Sequence, residues 1–166
     1  MFESAYKTHF AATRTQALRR LDEFLSHAGR YGAERDFVDI RHDHVSRLSP
    51  AIRHRILLEE EVVDAALERF ALSTVEKFVQ EVCWRTYWKG WLERRPQIWR
   101  QYLRNVRRLN AASSPGLLKR ASEVCSGRSG VAVMDRFARE LCETGYLHNH
   151  ARMWWASFWV HVEKLP

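Results

Sequence analysis

The stretch STVEKFVQEVCWRTYWKGWLERRP, residues 73–96, decides how the chain is read. On a helix turning about 100° per residue, Val75, Phe78, Val79 and Val82 fall on one stripe that wants a core. Glu81, Trp84 and Trp88 fall together on a second face, with Arg85 at its edge and Trp91 continuing the row. Ser73 or Thr74 is placed to cap this helix, which should run to about Arg94 ahead of Pro96. A surface helix needs one apolar stripe, and this one has two. Two readings follow. In one, a central helix packs on both sides and Glu81 pairs with an arginine. In the other, the second face is a platform, where tryptophans stack on planar rings and Glu81 and Arg85 bond their edges or phosphates.

HNHARMWWASFW, residues 148–159, repeats the theme. His148, Arg152, Trp155 and Trp159 share a helical face, and Asn149 lies three residues before Arg152. His148 and His150 point in different directions, so no shared metal is expected.

Hydrophobic residues make up 46% of the 166-residue chain and charged ones 28%, the balance of one globular domain with a core. No apolar run reaches the roughly 20 residues a bilayer span needs. The opening MFESAYKTHF lacks a signal-peptide pattern, so a cytoplasmic protein is expected. Cys83, Cys125 and Cys142 are odd in number and widely spaced, which suggests reduced, mostly buried thiols. The formal charge of +7, carried mainly by arginine, suits a polyanionic partner or simply a basic surface. No GxSxG, HExxH or P-loop signature is present.

Helical periodicity dominates and the class is all-α. A first helix is expected over about 13–28, with Leu18, Leu21, Phe24 and Leu25 as its stripe and Gly29 as its end. Residues 30–50 lack a clean period and read as an extended loop. Residues 59–72 form a second helix, and Glu59, Glu60 and Glu61 are its solvated start. After the 73–94 helix comes a short basic one over 98–110. AASSPG (111–116) reads as loop, LLKRASEVC as helix, and SGRSG (126–130) as turn. A helix over about 131–143 stops at Gly145, and a last helix starts near His148 and continues to Pro166.

Four ordered segments resemble the flavin-binding helical domain of the DNA photolyase and cryptochrome family. They are RYGAERDF with Tyr31 and Arg35, VSRLSPAIRHRIL (45–57), EVCWRTYWKGWLE (81–93) and MDRFARELCETGYLHNHARMWWASF (134–158). The nearest likeness is to bacterial members without the amino-terminal antenna domain. The resemblance implies FAD held within a helical bundle. Tyr31 would lie beside the flavin's phosphate or ribose portion, and Val45, Ser46, Arg47, Leu48 and Ser49 would wrap the pyrophosphate. Arg85 and Asn149 would contact the cofactor, and Arg152 would sit under the isoalloxazine ring. Glu81 and Trp84, the catalytic candidates, would face a flipped base or dimer. Arg35, Tyr146, Asn149 and His150 would meet DNA, damaged by ultraviolet light in the repair reading.

The departures are specific. Val45 stands where the family has Thr, Thr86 where it has Glu, Tyr146 where it has Trp and His150 where it has Arg. The family's Asp-Gly-Asp flavin loop and relay tryptophans lie beyond the matching Ser-Phe helix. The chain therefore reads as a single domain incomplete at its carboxy end, with an incomplete FAD site. Three functions stay open: a photolyase-like lyase driven by light, a cryptochrome-like photosensor or flavin module without repair, and a basic helical nucleic-acid binder without cofactor.

Overall fold

A computed structural model describes residues 10–39 and 41–166. The amino-terminal stretch behind the signal-peptide reading lies outside the described residues apart from Phe10, and so does Ile40 in the expected loop. Every regular element among the described residues is helical, as the periodicity requires. No helix among them is long and apolar enough to cross a membrane. The chain divides into two compact units, one running to Arg94 and one from Arg95 to Pro166.

In the first unit, α1 spans Arg14–Leu25, capped by Thr13, whose Oγ1 accepts the Gln16 N–H at 3.2 Å. Leu21, Phe24 and Leu25 are buried as expected, but Leu18 is 42% exposed and Ala17 takes its place in the core. The helix also ends earlier than expected. Ser26 turns its hydroxyl back onto the Glu23 carbonyl at 2.6 Å, a local bond that competes with further helix. Gly29 instead lies inside a 3₁₀ turn, Ala28–Arg30, which leads directly into α2, Tyr31–Glu34. The stretch expected as extended loop from residue 30 therefore begins at the end of a 3₁₀ turn and runs first through a short helix. Open chain follows until α3, Ser49–Arg53, which has Pro50 in its first turn.

Helix α4 spans Glu59–Leu67 and stops short of the expected end at residue 72. Its first turn is more than a solvated start. Glu61 accepts the Leu58 N–H at 2.8 Å and pairs with Arg14, and Glu59 pairs with Arg55 at 3.1 Å. The break after Leu67 lets Phe70 pack onto the core against Gly29. Helix α5, Leu72–Glu93, is the long helix read from the opening stretch. Its amino-terminal cap is the extended backbone of Ala71, so Ser73 and Thr74 lie inside the helix and cap nothing. Val75, Phe78 and Val82 are buried, and Phe78 meets Phe24 at a ring separation of 4.8 Å.

In the second unit, α6 spans Pro96–Ala112 and buries none of its residues. The expected loop at 111–116 shrinks to Ser113 and Ser114. The Ser114 hydroxyl accepts the Leu117 N–H at 3.3 Å and Pro115 starts α7, Pro115–Cys125. Helix α8, Ala132–Thr144, ends at Gly145 with a left-handed φ of 70°, as anticipated. Helix α9, Asn149–Ser157, continues into a π turn over Phe158–Val162 and goes no further. Arg120 takes the Glu163 carboxylate in a fork at 2.7 and 2.8 Å, Lys164 has a φ of 54°, and Leu165 turns into the core. These contacts end the helix before Pro166. Val124, Phe158 and Leu165 form the buried cluster here, flanked by Trp155 and Trp159. The three cysteines carry thiols, as expected, but all are exposed rather than buried.

Candidate functional site

The first unit gathers the amino-terminal candidates. Residue 35 follows α2, and α5 packs against α2, so Arg35 arrives beside Glu81 and the two form an ion pair. Asp36 lies 3.7 Å from the same guanidinium. Burial pulls the Arg35 pKa down, but the Glu81 carboxylate outweighs it and holds the value above that of an ordinary arginine. This is the arginine partner that the central-helix reading of residues 73–96 required. The platform reading keeps its aromatic part: Trp84 is 50% exposed and Trp88 52%, and Trp88 meets Trp91 edge-on at 5.6 Å. Arg85 is half-buried beside Trp84. The helix has the ion pair of the first reading but packs on one side only: its inner stripe meets the core, while Trp84 and Trp88 on the other face stay exposed.

Tyr31 is half-buried, with its ring edge-on to Phe24 at 5.9 Å and to Phe78 at 5.5 Å. In the 45–49 segment the side chains split. Leu48 is fully buried and offers only its backbone, whereas Ser49 is exposed and Val45, Ser46 and Arg47 are half-buried. Arg47 has a left-handed φ of 53° and Leu48 returns to a right-handed φ of −85°. Such a change of hand turns successive N–H groups toward one side and makes a concavity suited to anions. The Ser46 hydroxyl accepts the Leu48 N–H at 3.4 Å.

A side-chain network in the preceding loop was not anticipated. His44 places Nδ1 3.1 Å from Glu34 and Nε2 3.0 Å from Asp39, with Phe37 edge-on to its ring. Burial pushes the Asp39 carboxyl up, but the His42 and Arg41 N–H groups and His44 outweigh this and leave its pKa low. His27 Nε2 meets the Asp43 carbonyl at 3.0 Å and ties the loop to the end of α1. The alternating acids and histidines of DIRHDH were the available signal, but neither helical nor strand period brings them together.

The second unit carries the remaining candidates. His148 caps α9 through Nδ1, which accepts the His150 N–H at 3.2 Å, and its ring is buried and stacked on His150. Asn149 is exposed at the first position of α9, and Tyr146 is half-buried just before it. Arg152 is exposed and its Nε donates to the Leu147 carbonyl at 2.9 Å. Trp155 and Trp159 lie tilted to each other at a ring separation of 5.2 Å and pack on the unit's core. Of the helical face expected to present His148, Arg152, Trp155 and Trp159, Arg152 is exposed, whereas His148 is buried and the two tryptophans are half-buried, and Trp155 Nε1 is buried with no hydrogen-bond partner among the described residues. No cluster of three metal-ligating side chains occurs among the described residues.

Comparison with known proteins gives these positions a family. The deoxyribodipyrimidine photo-lyase of Escherichia coli (strain K12) is 29% identical over 165 residues, covering 92% of this chain and 33% of that protein. The enzyme of the same name from Streptomyces griseus is 34% identical over 122 residues, covering 72% of this chain and 25% of its own length. The chain thus spans about a third or less of these relatives. In fold it is similar to a bacterial class III photolyase from Agrobacterium tumefaciens, with a TM-score of 0.76 and 24% identity over 96% of this chain and 33% of that one. A family model described as the FAD binding domain of DNA photolyase matches residues 78–165, which include all but the first six residues of α5 and nearly all of the second unit. With more than half of its residues matched, the chain belongs to the family of DNA photolyase FAD-binding domains.

Proposed function

We propose that this chain is the part of a photolyase-like flavoprotein that holds FAD and meets DNA. The observation that carries the reading is the family match over residues 78–165. The residues present fit the cofactor's phosphates. The backbone concavity at Arg47 and Leu48, the hydroxyls of Ser46 and Ser49, and the guanidinium of Arg47 together suit a pyrophosphate. Neither Arg47 nor Arg85 makes an ion pair among the described residues, so both cations are open to an anion. Val45 would close the segment, Tyr31 would flank it, and Arg85, Asn149 and Arg152 would complete the cofactor contacts.

Bound FAD would supply a light-excited reductant for a pyrimidine dimer in ultraviolet-damaged DNA. The chain's own residues would do the positioning. Trp84, half exposed, offers a flat face to a flipped pyrimidine, and Glu81 accepts a hydrogen bond from its ring edge. Arg35 holds Glu81 in the absence of DNA, so an arriving phosphate has to draw Arg35 away before the carboxylate is released. Tyr146, Asn149 and His150 would complete the DNA surface. The test is the visible spectrum of this chain and of a form extended past Pro166, followed by blue-light repair of irradiated DNA. Flavin bands with dimer loss are expected from the extended form. Flavin bands with no dimer loss would end the repair reading. That outcome would favour the second reading, a cryptochrome-like sensor, which Tyr146 and His150 support by departing from the family pattern at two DNA-facing positions.

A further inference from the structure

Residues 125–131 run as a strap along one face of α8. Asp135, Arg139 and Cys142 lie four and then three residues apart, so they share that face. Each holds one rung. Asp135 accepts the Ser129 N–H and hydroxyl at 2.6 Å each and the Gly130 N–H at 3.1 Å. Arg139 donates to the Gly127 carbonyl at 2.7 Å. The Cys142 thiol points at the Cys125 carbonyl at 3.6 Å. Gly127 makes the fit possible: its φ is +69°, and a Cβ there would lie 2.6 Å from the Asp135 carbonyl oxygen and 2.8 Å from Arg139 Cγ. Because strap and helix run in opposite directions, the ladder delivers Cys125 beside Cys142.

Both residues are exposed and both carry thiols. We propose that Cys125 and Cys142 are a redox pair, whose disulfide covalently closes the third rung and latches the strap onto α8. A small disulfide such as oxidised glutathione is the co-reactant. The Cys142 thiolate attacks one of its sulfurs, forms a mixed disulfide and releases the first glutathione thiolate. The Cys125 thiolate then attacks the Cys142 sulfur and expels the second. One S–S bond breaks and one forms, two electrons pass to glutathione, and the two cysteine protons go to solvent. Cys125 acts second because burial, with Cys142 close by, pushes its thiol pKa up and keeps its thiolate scarce. The latch stands apart from the flavin reading, although α8 leads straight into residues 146–152.

The test uses the full chain carrying Cys83→Ser, equilibrated with oxidised glutathione and digested with trypsin without reduction. Residues 121–128 and 140–152 should appear as one cross-linked peptide pair from the monomer. The thermal midpoint of the oxidised chain should rise by several degrees and fall back with dithiothreitol. The link should form at least about tenfold less readily in urea, where only the fold's proximity has been removed. Glutathione adducts alone, interchain dimers, or equal linkage in urea would each overturn the proposal.

Discussion

Up to Arg94, buried side chains from α1, α3, α4 and α5 and the turns between them make one continuous apolar cluster centred on Leu21, Phe24, Leu48, Val62 and Phe78. From Arg95 onward the cluster is Val124, Phe158 and Leu165 with flanking aromatics, while α6 buries nothing. The second unit leans on polar clips instead: Asp135 on the strap, Arg139 on Gly127, and Arg120 bridging Glu163 and the Ser129 carbonyl. Apolar burial is nondirectional and sums over many contacts, whereas a clip works only when its donors and acceptors are aligned. The first unit should therefore tolerate polar substitutions and suffer from cavities, and the second should show the reverse.

The largest expected effect tests the first half of that statement. Phe78→Ala removes a ring that touches both Phe24 and Tyr31 and should cost about 3–5 kcal/mol in chemical denaturation. Hydrogen exchange should place the loss in residues 10–94 and leave the strap protected. A loss spread evenly over both units would break the comparison.

Gly127→Ala tests the second half. The added Cβ meets the Asp135 carbonyl oxygen in a left-handed backbone, and a cost of about 1–3 kcal/mol is expected, confined to the second unit. An unchanged denaturation midpoint would mean that the strap does not support this unit.

Acid titration sharpens the contrast. The Arg14 hydrogen bond is the main cause that lowers the Glu61 pKa to about 2, and the Ser129 hydroxyl is the main cause that lowers that of Asp135. A depressed carboxylate contributes stability that is full above its ordinary pKa and is lost as pH falls through the folded value. Glu61→Gln should remove the part of the acid loss that, in the wild type, extends down to about pH 2 in residues 10–94. Asp135→Asn should remove the acid loss that extends below the ordinary carboxylate range only in the strap and α8. If both variants lose their acid dependence in the same residues, the two units are not separate in their electrostatics.

The smallest effect concerns α1. Leu18 is exposed, so Leu18→Asn should change stability by no more than about 0.5 kcal/mol. Leu21→Ala, one turn on and buried, should cost about 2–5 kcal/mol. Equal effects would mean that the apolar stripe of α1 was placed correctly by periodicity after all.

The pattern of residues determined the all-α class, the inner stripe of α5 at Val75, Phe78 and Val82, the stop of α8 at Gly145 and the start of α9 at His148. These depend on neighbours three or four positions away, or on one residue's backbone freedom, and such information is local. The ordered segments around Tyr31, Ser46, Glu81 and Asn149 were also legible, because side-chain chemistry at fixed spacing survives in the chain itself. Tertiary structure alone decided that Arg35 holds Glu81 across 46 residues, that His44 lies between Glu34 and Asp39, that Trp155 and Trp159 turn inward, and that Cys125 lands beside Cys142. Each of these depends on where the chain returns in space. No helical or strand period encodes such a return, which emerges only when whole elements pack.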